Sequence, residues 1–445
     1  MLDRNISFCV AFSIFFFLHI STKAQSESSL FQFWEGDQNI RNEHVLELVC
    51  PPIDTVKIAV IGLGNRGQMA LDRLPNIPNV KIVAIADLDT LKVQNSLISF
   101  FIDKGMNIPD VYYGKDDWKM ICQRDDVDVV YVCTHWDLHT PISIYAMEHN
   151  KHVAVEVPAA LTLKECWKLV NTAEKTRKHC VQLENCLYDF FEITVLNMSR
   201  LGLFGDVIHT EGAYIHDLRK LNFSDKYYWD YWRLRKLQVM DGNTYPTHGI
   251  GPIAHLMNIH RGDKMNYLVS MSTDQFGLSK FANENLKDDN QWKEVDFLKG
   301  DMNTTLIKTH LGKTLLLQHD VTSPRPYSRL YTVSGTEGFA QKYPVEILAF
   351  EPDAHSSLSD DAIDDTLKAY EPIPIQKIKS KAKTIGGHGG MDYIMDYRLI
   401  YCLRNGLPMD QDVYDAAEWS SIIELSRKSL KKGSRPVKIP DFTRG

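Results

Sequence analysis

The sequence lacks most of the features that would give a function away at once. It has no basic excess: 50 Lys and Arg stand against 57 Asp and Glu, a net charge of -7. A nucleic-acid partner usually leaves a basic excess or patch, so that class is disfavoured. There is no long run of one charge sign and no internal repeat, so neither a charged tail nor a solenoid is expected. No C-x-x-C pair and no H-E-x-x-H occur, which removes the common zinc signatures. Cysteine is scarce, eight in 445 residues, and one of these (Cys9) lies in an N-terminal apolar run. The other seven, Cys50, Cys122, Cys133, Cys166, Cys180, Cys186 and Cys402, are odd in number and sit mostly in apolar patterns. They read as buried small hydrophobes, not as a disulfide framework.

Hydrophobic residues at 44% and charged residues at 24% are ordinary for a globular protein. A chain of 445 residues is long for one domain, so two are expected. The first residues, "MLDRNISFCVAFSIFFFLHISTKAQSESS", carry Arg4, an apolar run from Phe8 to Ile20, and then "STKAQ". This is the layout of a secretory signal peptide cleaved after Ala24. The run is too short for an ordinary membrane span, and no twin arginine precedes it. The chain is therefore expected to be exported, with no stable membrane span. It divides into a signal peptide 1–24, a lead segment 25–54, a first domain 55–185 and a second domain 186–445.

"TVKIAVIGLGNRGQMALDRL" starts as an apolar strand, turns through Gly62-Leu63-Gly64-Asn65-Arg66-Gly67, and opens an amphipathic helix. Gly62 permits the tight turn, Gly64 lets backbone approach a pyrophosphate, and Gly67 lets helix pack closely on strand. The helix N-terminus offers free N–H groups to phosphate. The next strand, "VKIVAIADLD", ends at Asp87, 20 residues past Gly67, where an acid can hold the adenosine ribose. Its charge repels a 2′-phosphate, so NAD is expected over NADP. Further strands "DVYYG", "DVDVVYVCT", "HVAVEV" and "CVQLEN" alternate with helical stretches up to about Asn185, as a parallel doubly wound sheet requires. The strand ends Thr134, Trp136, His139, Glu156 and Asn185 should line one crevice. A helix is expected after Pro141. On that account His135 and His139, although four apart, are not read as a metal pair, and no metal site is expected.

Beyond "YDFFEITVLNMSRLGLFG" the pattern changes to alternating strands: "GDVIHTEGAYIHDLR", "MNYLVSMSTDQFG", a hairpin turning at Leu311-Gly312-Lys313, and "SRLYTVSGTEGFAQKYP". These predict an open, mainly antiparallel sheet in an α+β domain, with one face packed and a free face that could cover the cofactor site. Two helices near the end should pack back on the body. "YYWDYWRLRKLQVMDGNTYPTHGIGPIAHLM" is the densest polar-aromatic segment. Rings there can stack on a sugar while Arg and His bind its hydroxyls. Tyr245, Thr247 and His248 fall in a Gly/Pro-flanked turn just before a helix, where loops carry function.

Taken in order, "GLGNRG", "THWDLH", "VEVPAA", "ENCLYDFFE", "GAYIHDLR", "YWRLR", "GNTYPTHGIGP", "RPYSR" and "GGHGGMDY" resemble the glucose–fructose oxidoreductase and inositol dehydrogenase (Gfo/Idh/MocA) superfamily. More narrowly, the chain resembles glycoside hydrolase family 109, the NAD-dependent α-N-acetylgalactosaminidases. The resemblance implies NAD contacts at Arg66, Gly67, Asp87, Trp136, Asp137, Leu138, His139, Glu156, Val157 and Asn185, beside the loop residues Gly62, Gly64 and Asn65. It implies substrate contacts at Tyr214, Arg233, Tyr245, Pro246, Thr247, His248 and Tyr327. "GGHGG" reads as a flexible loop near the site, with no role for His388.

Dehydrogenases of the superfamily usually carry lysine between Glu and Pro where this chain has Val157. That departure fits the hydrolase branch. The expected reaction is hydrolysis of a terminal N-acetylgalactosaminide through transient oxidation at C3, elimination across C1–C2, water addition and re-reduction. NAD would be tightly bound and recycled each turnover. Tyr245 and His248 are the expected proton-transfer groups, since His titrates near neutrality and Tyr245 could be assisted by Arg233. The alternative is an NAD-dependent sugar oxidoreductase with net redox change. A homo-oligomer is left open.

Overall fold

The structure, a computed structural model, describes residues 44–444. The signal segment 1–24 and residues 25–43 of the lead lie outside the described residues.

Six strands form the first sheet: β1 (Val56–Ile61), β2 (Val80–Asp87), β3 (Asp110–Tyr113), β4 (Val129–Val132), β5 (His152–Val155) and β6 (Cys180–Gln182). Their order is β3-β2-β1-β4-β5-β6, with every neighbouring pair parallel. The strands are apolar on both faces because both faces are covered. In β1, Ile58 and Val60 enter one core cluster and Ala59 and Ile61 the other. Tyr131 of β4 and its neighbours Val130 and Val132 divide in the same way. The strand order reverses between β1 and β4, and a doubly wound sheet opens its ligand crevice at such a point.

Two expectations need correction here. The helix expected after Pro141 begins at Trp136 and runs to Glu148, with Pro141 inside its second turn. Pro141 is the sixth residue of this helix, so it gives up the N–H that would bond the Asp137 carbonyl, and the helix runs through it. The strand read as "CVQLEN" stops at Gln182, and Asn185 opens a short 3-10 turn, Asn185–Tyr188.

The second sheet has eight strands: β7 (Val207–Ile215), β8 (Met265–Ser272), β9 (Asn303–Thr309), β10 (Thr314–Asp320), β11 (Ser328–Gly335), β12 (Gly338–Gln341), β13 (Ile347–Phe350) and β14 (Val437–Lys438). Their order is β13-β12-β11-β7-β10-β9-β8-β14. The β9–β10 hairpin turns through Gly312 at φ +86, and the sheet is antiparallel except where β7 pairs parallel with β10. One face buries Leu268, Ile307, Leu315, Leu317 and Val333 in the same cluster that covers one side of the first sheet. The opposite face exposes Met271 and Leu306.

It is the packed face, not the free one, that reaches the cleft. Helix Thr247–Leu256 lies on β7 so closely that a Cβ on Gly212 would sit 2.1 Å from the carbonyl oxygen of Gly249. Gly212 and Tyr214 are two apart on one strand and so share a face. The same contact therefore sets His248, next to Gly249, beside Tyr214. The C-terminal helix Val413–Lys431 is buried along most of its length and packs on helix Leu163–Thr176 and on β8. All seven cysteines of the described residues are free thiols, and six are buried. No described helix is long and apolar enough to cross a membrane.

Candidate active site

A cleft of about 380 Å³ runs from the glycine loop after β1 to the end of β7. The loop geometry decides what it can hold. Gly62 has φ +93, and a Cβ there would lie 2.7 Å from the Cys133 backbone. A Cβ on Gly67 would lie 1.9 Å from the Gly62 carbonyl oxygen, so only glycine lets helix Asn65–Arg73 start this close to the strand. Gly64 faces open space, with nothing within 4 Å of a Cβ. Free space at Gly64 and the unpaired N–H groups of a helix start form a cradle for a pyrophosphate. Asp87 accepts the Leu63 N–H at 2.7 Å and the Asp89 N–H at 2.9 Å, so it also pins the loop. These residues fit a dinucleotide.

Across the loop, Arg66 donates from Nε to Glu156 at 2.7 Å and from Nη1 to Asp392 at 3.0 Å. Asp392, fully buried, also accepts from Asn185 Nδ2 at 2.5 Å and contacts His388 Nδ1 at 2.9 Å. Burial alone would raise the Asp392 carboxyl; Arg66, His388 and Arg73 outweigh it and hold it well below the carboxylate range. The GGHGG segment is thereby fixed at the cleft rim, and His388 lines the cleft. Neither Asp392 nor His388 was picked from sequence. A run of glycines ahead of "MDY" was the available signal.

His139 is buried, with Nδ1 2.8 Å from the Pro158 carbonyl oxygen and Nε2 2.9 Å from that of Thr134. Both ring nitrogens are engaged by backbone, so it ligates nothing. His135 is the N-cap of a helix that contains His139, so a late helix start does not set the pair aside. Trp136 and Leu138 line the cleft. Asp137 does not; its carboxylate turns to Lys236 Nζ at 2.5 Å. Val157 lines the cleft and is buried in one apolar cluster with Trp136, Tyr214 and Tyr245.

Of the residues expected on the substrate side, Tyr214, Arg233, Tyr245 and His248 converge at the cleft. Tyr245 is stacked on Trp136, and the Arg233 guanidinium lies 4.6 Å from the Tyr245 ring centroid. Burial pushes the Tyr245 hydroxyl well up, and Arg233 only partly offsets this, so the phenol is held neutral. Tyr214 packs on both Tyr245 and His248, at 5.0 and 5.1 Å between centroids. Its Oη lies 3.0 Å from Nδ1 of His216, a cleft residue that sequence reasoning passed over although it shares a strand face with Tyr214. Tyr327 sits behind, 40% exposed, its ring 6.3 Å from Tyr214 and its hydroxyl accepting from Arg329 at 3.1 Å. Pro246 caps helix Thr247–Leu256, and Thr247 is fully buried; neither lines the cleft. Glu184 was missed as well: fully buried, it faces Nδ1 of His248 with both oxygens, at 2.7 and 2.9 Å.

A strap from the second half crosses the dinucleotide side. Lys226, Tyr227, Tyr228 and Trp229 all line the cleft. Asn65 Nδ2 donates to the Tyr227 carbonyl at 3.3 Å, and Lys92 Nζ lies 6.0 Å from the Trp229 ring centroid.

Comparison with known proteins agrees with this geometry. Residues 188–445 match the family model "Glycosyl hydrolase 109, C-terminal domain", and residues 56–184 match "Oxidoreductase family, NAD-binding Rossmann fold". The chain is 52% identical over 408 residues to an α-N-acetylgalactosaminidase of Bacteroides fragilis, covering 90% of this chain and 95% of that one. It is 47% identical over 459 residues to a glycosyl hydrolase family 109 protein of Porphyromonas gingivalis, covering 99% and 96%. Among solved structures, a levoglucosan dehydrogenase in complex with NADH and levoglucosan aligns at TM-score 0.66 and 17% identity, over 87% of this chain and all of that one. The myo-inositol dehydrogenase of Lactobacillus casei, in complex with NAD(H) and myo-inositol, aligns at 0.59 and 18%, over 87% and 99%. At such identities the likeness is one of fold.

Proposed function

The chain belongs to glycosyl hydrolase family 109, and from that premise we propose that it hydrolyses terminal α-N-acetylgalactosaminides with the help of a bound NAD. It is an enzyme with an NAD-binding Rossmann domain. The observation that carries the reading is the shortage of free carboxylates. Among the described residues that line the cleft, Asp87 and Glu156 are the only carboxylates. The first is tied to the glycine loop and the second to Arg66. Ordinary glycoside hydrolysis needs two carboxylates flanking the scissile bond, and NAD-dependent glycosidases are the exception.

When bound, NAD supplies reversible oxidation at C3 of the terminal sugar. A ketone at C3 makes the C2 proton acidic, so that elimination can expel the aglycone and water can add at C1. The chain's own residues position and move protons. Gly62, Gly64, Gly67 and Asp87 would hold the dinucleotide. Trp136, Tyr214 and Arg233 form the wall on which the sugar ring would lie. Tyr245 and His248 are the groups placed to exchange protons with C3–OH and C2–H. The Lys226–Trp229 strap supports slow release of the dinucleotide, which suits a cofactor recycled within each turnover. We assign the chain to an exported location on the strength of its N-terminal segment.

The test is a set of nitrophenyl glycosides, both anomers, with and without added NAD+, followed by reaction in D2O. Release from the α-N-acetylgalactosaminide with deuterium at C2 of the freed sugar is expected. Full retention of protium at C2 would remove the elimination route. NADH accumulating in step with oxidised sugar would assign the enzyme to net redox chemistry instead.

A further inference from the structure

We infer that Glu184 is the positioning residue of His248, fixing the imidazole so that Nδ1 is protonated and Nε2 presents a free lone pair to the cleft. This rests on the proposed role of His248 in proton transfer.

Glu184 is 0% exposed. It follows β6, 64 residues before His248, and the tight packing of helix Thr247–Leu256 on β7 brings the two together. A carboxylate can only accept hydrogen bonds when ionised. Two oxygens at 2.7 and 2.9 Å from Nδ1 therefore require a proton on Nδ1. The carboxylate is anchored in turn by the Cys186 N–H at 3.0 Å. Burial would push its carboxyl up; His248 and the Cys186 N–H outweigh that and hold it below its usual value, so it stays ionised. Nε2 makes no hydrogen bond to any described residue, and the ring lines the cleft.

The chemistry follows. Neutral His248 takes a proton from substrate onto Nε2, becoming an imidazolium with Nδ1 still bonded to Glu184. The buried negative charge stabilises that cation, and the proton returns to product later. A buried acid that orients and supports a histidine in this way need never be protonated itself. The other titratable groups facing His248 are Tyr214, Tyr245, His216 and Cys186. None of the described residues offers Nδ1 a second acceptor, so the tautomer is set by Glu184.

The direct test is 15N NMR of histidine-labelled full-length protein, with the His248 signals assigned by their loss in His248→Asn. Wild type is expected to show Nδ1 protonated and Nε2 bare. Glu184→Gln keeps an acceptor but loses the charge. Its kcat is expected to fall at least tenfold, and the acidic limb of its kcat/KM profile to move to lower pH, with bound NAD unchanged. Glu184→Ala is expected to mix the two tautomers and to lose more, towards the ~10²–10⁴-fold of an acid–base group removed outright. A wild-type spectrum with Nε2 protonated overturns the proposal, and so does a Glu184→Gln profile that matches wild type. Absence of hydrolysis in wild type would sink the functional reading while leaving the tautomer measurement standing.

Discussion

The indole of Trp136 and the phenol of Tyr245 lie 5.7 Å apart between centroids, with planes 21° from parallel. One comes from the helix after β4, the other from the turn before helix Thr247–Leu256, so the stack joins the dinucleotide side to the substrate side. In the proposed reaction Tyr245 and His248 exchange protons with C3–OH and C2–H, and burial, which holds the phenol neutral, leaves His248 as the first acceptor. Tyr245→Phe keeps the stack and removes the proton. Its kcat should fall by ~10²–10⁴-fold, with the thermal midpoint and the bound NAD of wild type. Retained kcat would remove Tyr245 from proton transfer.

Asp87 pins the glycine loop, and in the proposed reading it would also hold the ribose. Asp87→Asn keeps an acceptor for the Leu63 N–H while removing the charge. NAD affinity should weaken by about tenfold, in line with loss of a charge-assisted hydrogen bond. NADP should gain relative to NAD, since the repulsion of a 2′-phosphate is gone. Fluorescence titration of apo protein with both nucleotides reads this. An unchanged NAD-to-NADP ratio would place selectivity elsewhere.

Asp392, itself buried, neutralises part of Arg66 at the cleft and part of Arg73. Its carboxyl is depressed by folding. Such a group contributes stability that is full above the unfolded carboxyl value, about 3.9, and is lost as pH falls through the folded value. Asp392→Asn removes one carboxylate from Arg66, which keeps Glu156, and one from Arg73, which keeps Asp396, at a cost of about 1–3 kcal/mol. The variant should melt well below wild type at pH 7, and the gap should narrow below about pH 4. An equal gap at pH 7 and pH 3 would contradict the charge argument.

The first half was largely legible because its signals are local. β1, the glycine loop, the helix and Asp87 lie within one stretch whose periodicity and spacing have one geometric solution. The second sheet was legible as strands, since alternation marks a half-buried strand, but not as to which face meets the cleft. That was decided by Gly212 and Gly249, 37 positions apart, a contact no pattern reports. Glu184 was hidden for a related reason. A carboxylate at a strand end looks like any other until its partner, 64 residues on, is placed beside it. Asp392 lies 326 residues from Arg66, and only the folded chain shows that they pair. Pro141 misplaced a helix start because proline is usual just inside a helix start, and this one sits a turn later.

Val157 was read in sequence as a departure that separates this chain from dehydrogenases with lysine at that place. Its surroundings give a packing account as well. The side chain is 4% exposed, among Trp136, Tyr214 and Tyr245, with Arg233 over the Tyr245 ring. An ammonium there would be desolvated next to a guanidinium, and the nearby acid, Glu156, is already bonded to Arg66. Burial lowers a lysine pKa, and a like charge lowers it further. Val157→Lys should therefore lower the thermal midpoint and hydrolysis together without net sugar oxidation, whereas Val157→Ile should cost little of either. The deciding measurement is NADH formed per sugar consumed. A ratio near zero in Val157→Lys assigns the valine to packing of the ring cluster; a ratio near one shows that this single side chain chooses between hydrolysis and oxidation.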